Sequence, residues 1–275
     1  MVQKEEHVWA DDTFVDYLDK EERKVHEKEV YKKEEIQELT RYGRIFLVDN
    51  LVNPKKGDLL LDIGCGSGER IKKYENICSV IGIDISLKEC KKAKKNLSNG
   101  NVILASMENL PFKDGAIDKI MAVYSMVYSP DKLGTMREVS RVLKENGEFI
   151  VYDPNKFSLR TLLRYLLCIK FFISGRKDPK ALHHKIVTRQ SLSYLQFKKL
   201  GSKVNLRVSY WCGHFSYHIA LFAINKSILT DIALFILNIV DYKKWGTIPI
   251  IKFFSDFLII KFIKAKRVDK NKNYH

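Results

Sequence analysis

The sequence predicts an α/β protein whose sheet is mostly parallel and covered by helices on both faces. Three observations carry this. Between residues 57 and 154, short apolar runs alternate with segments of helical period. The first run, LLLDI, opens directly into the glycine-rich turn GCGSG. The second, VIGID, ends on an acid. Strands that alternate with helices of this length build βαβ units, which need a parallel sheet buried on both sides.

Taken in order, residues 13–50 are charged with Val25, Val30, Ile36 and Leu39 at helical spacing, which predicts N-terminal helices forming a cap over residues 1–50. Asn53-Pro54-Lys55-Lys56-Gly57 is a turn. The expected core, residues 51–154, then runs as strand 59–63, helix 67–75, strand 80–85, and a lysine-rich helix 87–97 closed by Asn99-Gly100. Strands 102–105 and 117–123, helix 131–143 and strand 147–153 follow, with a stop at Pro154.

Beyond Pro154 the rhythm changes. Residues 158–173 put Leu159, Leu162, Leu166, Ile169 and Ile173 on one helical face, with Arg160 and Arg164 opposite. Thr188 is a candidate cap for a helix ending near Leu200 at Gly201, and residues 204–209 alternate like a strand. Residues 219–240 and 248–264 read as apolar helical segments. They are interrupted by Asn225, Lys226, Asp231, Asn238, Lys252, Asp256 and Lys261, so no window has the ~20 clean apolar residues that a spanning helix needs. Residues 155–265 are therefore expected to supply substrate-covering helices and to complete the sheet. Residues 266–275 are expected to form a disordered basic tail.

Composition narrows the class. The 275 residues suffice for one large domain or a domain with an appendage. Five scattered cysteines, Cys65, Cys78, Cys90, Cys168 and Cys212, show no C-x-x-C spacing, which argues against a disulfide framework or a zinc site and suits a reducing cytoplasm. The N-terminus lacks the basic-then-apolar pattern of a secretory signal. The net charge of +15 is uneven: residues 1–150 balance at −2, whereas residues 151–275 carry 23 Lys/Arg against 6 acids, with no glutamate after Glu148. The second half is expected to face something anionic, namely nucleic acid, an acidic membrane surface or a phosphorylated substrate; a lysine-rich composition with a solvated basic face is the competing explanation.

The glycines bear on what the fold binds. A turn without Cβ atoms lets a ligand approach the backbone, and two ligands compete for it: a dinucleotide pyrophosphate, or a smaller cofactor without phosphate. The spacing here is Gly64-x-Gly66-x-Gly68, and Glu69 stands where a dinucleotide fold wants its third glycine. A carboxylate there repels a pyrophosphate. Asp62 adds a second negative charge, better suited to a cationic ligand. Asp84, closing the second strand, can accept from both hydroxyls of a ribose and so marks adenosine, without marking a chemistry. The competing structural explanation is that Asp84 caps the next helix, a task that Ser86 could also fill.

LLLDIGCGSGER, VIGIDIS, SMENLPFKDGAIDKIMAVYSMVYSPD and EVSRVLKENGEFIVYDP, in that order and spacing, resemble the successive motifs of class I S-adenosylmethionine (SAM)-dependent methyltransferases. The nearest group is the broad one containing the quinone-biosynthesis C-methyltransferases. TRQSLSYLQFKKLGSKVNLRVS resembles the end of the family's sheet more loosely. The resemblance implies a Rossmann-like sheet of seven strands and SAM as cofactor. It implies that Gly64, Cys65, Gly66 and Gly68 form the turn around the methionine part. Asp62 would lie near its amino group, with Asp84 on the ribose and Ile85 on the adenine. Ser106 stands where the family often has an acid for the adenine amino group, and a hydroxyl accepts more weakly. Met107 and Glu108 would border the adenine, and Tyr124 would face the transferable methyl group.

A sulfonium methyl needs alignment and exclusion of water more than acid–base help. His183, His184, His214 and His218 lie where substrate-facing parts of the family fall, but packing or surface placement explains each better. No residue is assigned as catalytic and no metal is expected. The expected acceptor is a small molecule, lipid, quinone or lipid-linked glycan. The arginine-faced segment 158–173 suits a cytoplasmic enzyme that touches the inner membrane surface; a plain soluble enzyme whose apolar segments cover its pocket fits the same residues. RNA methylation is disfavoured because the positive charge is mixed with long apolar runs and no RNA-binding module is recognisable. Non-catalytic SAM binding is disfavoured by the intact Asp62, glycines and Asp84.

Overall fold

The computed structural model describes residues 48–158, 189–214, 253, 255 and 257–266. The predicted N-terminal cap (apart from its end at 48–50), the segment 159–173, Thr188, the segment 219–240, His183, His184 and His218, and the tail from 267 on lie outside the described residues.

Seven strands form one sheet: β1 (Leu59–Ile63), β2 (Ser79–Asp84), β3 (Asn101–Leu104), β4 (Ile117–Val123), β5 (Leu143–Pro154), β6 (Leu206–His214) and β7 (Phe257–Lys264). Their order is β3-β2-β1-β4-β5-β7-β6. β1 to β5 pair in parallel, and β7 runs antiparallel to both β5 and β6. Four helices are described: α1 (Glu69–Lys72), α2 (Leu87–Asn96), α3 (Lys132–Val142) and α4 (Tyr194–Lys203). Chain order runs outward from β1 through β2 to β3, then returns to β4 on β1's other side. That reversal leaves a crevice at the carboxyl ends of β1 and β4, where open α/β sheets receive ligands.

The two-residue period of the strands sorts their side chains between two cores. Leu61, Ile63, Ile120, Ala122, Phe149 and Val151 face one way, against Met136 and Val139 of α3 and Phe197 of α4. Leu60, Met121, Ile150, Tyr152 and Ile259 face the other way, with Val48, Val52, Ile71 and Tyr74. Fully burying side chains of this size contributes roughly 1.5–3 kcal/mol each before ordering costs.

The largest departure from expectation is at residues 257–264, read as part of an apolar helical segment but forming β7. A short run such as FLIIKFIK, buried on both faces, has no period to separate strand from helix. Its isoleucines and phenylalanines suit a central strand, and β5 and β6 satisfy both of its backbone edges. Lys261, which interrupts the run, is accounted for by pairing: its Nζ reaches Glu148 Oε1 at 2.5 Å, and Lys119 pairs with the other oxygen. Burial opposes the charge on Glu148, but the two ammonium groups hold its carboxyl below the usual range.

Other differences are smaller. The helix expected over 67–75 is a single turn, α1, followed by further turns to Cys78. β5 starts at Leu143 rather than 147, beyond a register shift between Ile117 and Lys119. α4 is capped by Ser193, whose side chain and that of Gln196 close a reciprocal capping box. Gly201 lies inside α4 instead of ending it, because the helix crosses closely over the sheet there. A Cβ at Gly201 would sit 2.7 Å from the Leu206 carbonyl oxygen and 2.8 Å from Phe262 Cε1. Gly201→Ala is therefore expected to cost about 1–3 kcal/mol, read as a lower urea midpoint with unchanged slope.

Candidate functional site

At the switch point a cavity of about 320 Å³ is lined by Asp62, Gly64, Cys65, Gly66, Ser67, Glu69, Arg70, Lys73 and Val123. Its floor is the turn between β1 and α1. Gly64, Gly66 and Gly68 have φ of +75°, +53° and +77°, a left-handed run that residues with a Cβ rarely adopt. The Gly64 and Cys65 amides both donate to the Ile83 carbonyl at 2.9 Å, which pins the turn to β2.

The three glycines differ in what lies beside them. A Cβ at Gly64 would sit 2.5 Å from Ser125 Cβ, so this glycine admits the start of the β4 loop. A Cβ at Gly68 would meet Ala93 of α2 at 3.1 Å; Gly68 belongs to the turn but faces a helix and not the cavity. Beside Gly66 the space is open, with Glu89 Oε2 at 3.8 Å as the nearest atom. Gly82 plays a supporting part, since a Cβ there would strike Cys65 Sγ at 2.7 Å. Cys65 is buried, and burial pushes its thiol far above the usual range, so it serves as packing rather than as a nucleophile.

Asp84 connects the two turns. Its Oδ2 accepts from the Gly66 amide and its Oδ1 from the Ser86 amide, both at 2.9 Å. The helix-capping task falls to Ser86, whose hydroxyl accepts from the Glu89 amide. Each Asp84 oxygen keeps a lone pair for a further donor. Ile85 beside it is 49% exposed, an unusual openness for isoleucine and a flat apolar surface for a ring.

One strand further out, Ser106, Met107 and Glu108 follow β3, all half-buried. Ser106 was expected to be the weak acceptor of the set. Its hydroxyl donates to Glu108 Oε2, so the carboxylate missing at residue 106 is supplied two residues later. Glu108 Oε1 accepts from Ser129 at 2.7 Å.

Asp62 is 2% exposed and accepts no hydrogen bond among the described residues. Burial raises its carboxyl to about 7; Arg70 opposes the shift and Asp84 adds to it. A buried acid with free lone pairs on a cavity wall is suited to a cationic donor. Tyr124 follows Val123 with φ +58°, a strained conformation for a bulky residue. Its amide donates to the Tyr152 carbonyl at 2.7 Å, and its ring packs against Tyr128 and Phe257.

Of the residues expected at the site, Asp62, Gly64, Cys65 and Gly66 line the cavity, with Asp84 bonded to Gly66. Ile85, Ser106, Met107, Glu108 and Tyr124 extend the same carboxyl edge to either side. Arg70 and Lys73 line the cavity without having been anticipated, because charged positions on a short helix look like solvated surface in a sequence. Arg70 follows Glu69 within the quoted motif, the one signal that could have drawn notice. His214 ends β6.

The open cradle at Gly66, the unpaired carboxylate of Asp62 and the bridging carboxylate of Asp84 fit a ligand that combines an amino cation with a ribose. They do not fit a pyrophosphate, since Glu69 stands on the cavity wall.

Comparisons with known proteins agree. Residues 61–151, about a third of the chain, match the family described as methyltransferase domain. The uncharacterized protein MJ1252 of Methanocaldococcus jannaschii is 39% identical over 113 residues, 41% of this chain and 43% of that protein. The demethylmenaquinone methyltransferase of Thermotoga maritima is 31% identical over 152 residues, 52% of this chain and 65% of the enzyme. The chain thus spans less than two thirds of these relatives. In fold it resembles the geranyl diphosphate C-methyltransferase of Streptomyces coelicolor, solved with S-adenosyl-L-homocysteine. The TM-score is 0.53 with 14% identity, over 82% of this chain and 79% of that one.

The raised carboxyl of Asp62 has a measurable consequence. In the fold it holds a proton more tightly than in the unfolded chain, so its contribution favours folding below about pH 4 and is lost as pH rises through about 7. Asp62→Asn is expected to gain on the parent chain between pH 4.5 and pH 8, by about 3 kcal/mol, as read by urea denaturation at the two pH values.

Proposed function

Residues 61–151 being a class I SAM-dependent methyltransferase domain, we propose that the chain transfers a methyl group from SAM to a small, largely apolar acceptor of the quinone or lipid type. The observation that carries the reading is the pair of carboxylates, Asp62 unpaired and buried at the cavity and Asp84 bound to the turn beside it.

In this reading SAM supplies, when bound, a methyl group on a sulfonium already electrophilic enough for direct transfer. The chain's own residues do the rest. Asp62 faces the ammonium of the methionine part, and Arg70 and Lys73 face its carboxylate, so one cavity wall meets a zwitterion with both signs of charge. Asp84 receives the ribose hydroxyls while keeping its bonds to Gly66 and Ser86. Ile85 and Met107 supply apolar surface to the adenine, and Ser106, polarised by Glu108, accepts from its amino group. Tyr124, with Phe257 and Tyr152 stacked behind it at 5.0 Å, forms an aromatic wall on the acceptor side and excludes water from the reacting methyl.

The acceptor class rests on three supports. Two similar proteins are named for a quinone precursor and for geranyl diphosphate. The acceptor side is aromatic. The half of the chain beyond residue 150 carries +17. Together they favour a lipid-type acceptor with a polar or anionic head, reached at the cytoplasmic face of a membrane. Among the described residues no helix is long and apolar enough to cross one.

Calorimetry tests the cofactor: S-adenosylhomocysteine is expected to bind and NAD not to. Asp84→Ala is expected to weaken S-adenosylhomocysteine about 10- to 100-fold, as loss of charge-assisted hydrogen bonds implies. Labelled-methyl transfer into an extract of the native organism tests the acceptor: label is expected in the lipid phase. Label confined to the RNA or aqueous fraction refutes the lipid reading, and NAD binding in place of S-adenosylhomocysteine refutes the cofactor.

A further inference from the structure

The segment joining β4 to α3 holds Tyr124 in its left-handed conformation, at a cost of roughly 1–3 kcal/mol. Its start is tied to β1, where Ser125 Oγ donates to the Ile63 carbonyl at 2.6 Å, and to β5 through the Tyr124 amide; its other end is held from α3. Lys132, in the first turn of α3, folds its side chain back so that Nζ donates to the carbonyls of Val127 (3.1 Å) and Ser129, and to Gln190 Oε1 at 3.4 Å. Two of its three protons thus close the end of the short 3₁₀ turn Met126–Tyr128, and the third reaches the chain beside Leu192.

Beneath this turn, β5 presents Asp153. It is completely buried, and neither carboxyl oxygen has a hydrogen-bond partner among the described residues. The Val127 backbone lies close, but no hydrogen bond of ordinary geometry forms. Burial raises its carboxyl well above the usual range, and the Lys132 ammonium only partly opposes this. Burial lowers the Lys132 ammonium to about 8, while Asp153 and Glu108 work to keep it charged. A buried ammonium with this much desolvation is a poor way to gain stability. It is a good way to hold one loop in one geometry.

We propose that Lys132 is a positioning residue: through its bonds to the Val127 and Ser129 carbonyls it clamps the 124–131 segment and so fixes Tyr124 on the acceptor side of the cavity. The same clamp meets the adenine side. Ser129, whose carbonyl Lys132 holds, gives its hydroxyl to Glu108, and Thr135 of α3 reaches both. The Tyr124 end and the Ser106–Glu108 end of the site therefore share one set of hydrogen bonds. The functional part of this inference rests on the methyl-transfer reading; the clamp itself does not.

The test is amide hydrogen exchange on the full chain, with calorimetry alongside. Lys132→Met is expected to speed exchange of residues 124–131 about tenfold while β1 and β2 stay protected. Lys132→Arg, which keeps the charge, is expected to recover most of the protection. Lys132→Gln, which keeps a shorter donor, is expected to loosen the same segment by a smaller factor, and it carries the test alone if Lys132→Met does not fold. Labelled-methyl transfer should fall with the loosening. Unchanged exchange at 124–131, or loosening spread equally over β1 and β2, overturns the proposal. A parent chain that fails to bind S-adenosylhomocysteine refutes the methyl-transfer reading and leaves the exchange result to judge the clamp.

Discussion

The Asp84 carboxylate holds two amides that belong to different turns, Gly66 behind β1 and Ser86 behind β2. Charge-assisted bonds of this kind contribute roughly 1.5–3 kcal/mol each, and here they do so across the mouth of the crevice. Without them the glycine turn would be anchored by the two amides that donate to Ile83 and by Asn96 Nδ2 on the Ser67 carbonyl. With them, the turn's open side stays aimed at the cavity and the carboxylate stays at its rim. The rest of the carboxyl edge is arranged around this junction: Asp62 and Arg70 on one side, Ile85 and the Ser106–Glu108 pair on the other.

The sheet makes that junction rigid. β7 inserted between β5 and β6 leaves β5 paired on both edges, so Tyr152 and Asp153 come to the carboxyl edge on a strand that cannot shift. This explains how the fold tolerates groups that cost stability. Asp62 and Asp153 are buried acids, the latter with no hydrogen-bond partner among the described residues, Lys132 is a partly desolvated ammonium, and Tyr124 carries a strained backbone. All four lie at the carboxyl edge or beneath it. Concentration of unfavourable groups at one place, with the remaining core conventionally apolar, is what a site selected for binding looks like.

Charge is distributed to the same end. Asp62, Glu69 and Asp84 surround the turn with negative potential, and Arg70 and Lys73 relieve it at one side of the cavity. Elsewhere acids and bases cancel in structural pairs, as when Glu148 takes up Lys119 and Lys261 across three strands, or Arg141 takes up Glu138 and Asp114. Those pairs knit the surface and the sheet. Asp62 and Asp84 instead face the cavity and the turn beside it.

Local chemistry alone decided much of this protein. The run into Asp62, the glycines at 64, 66 and 68, the acid at 84 and the alternation of strands and helices to Pro154 were legible because each depends on neighbours within a few residues: a strand's period, a turn's need for φ above zero, a strand-terminal acid. What depends on distant partners was not legible. Residues 257–264 became a strand because β5 and β6, more than 40 residues away in sequence, satisfy both of its edges. Gly201 stayed inside a helix because Phe262 lies beneath it, and Ser106 acquired its carboxylate from Glu108. Arg70 and Lys73 became cavity walls, and Asp153 came to be fully buried, only when the sheet brought β1, β4 and β5 side by side. Burial and the loss of water that makes these charges matter are properties of the assembled sheet, and no stretch of the chain carries them alone.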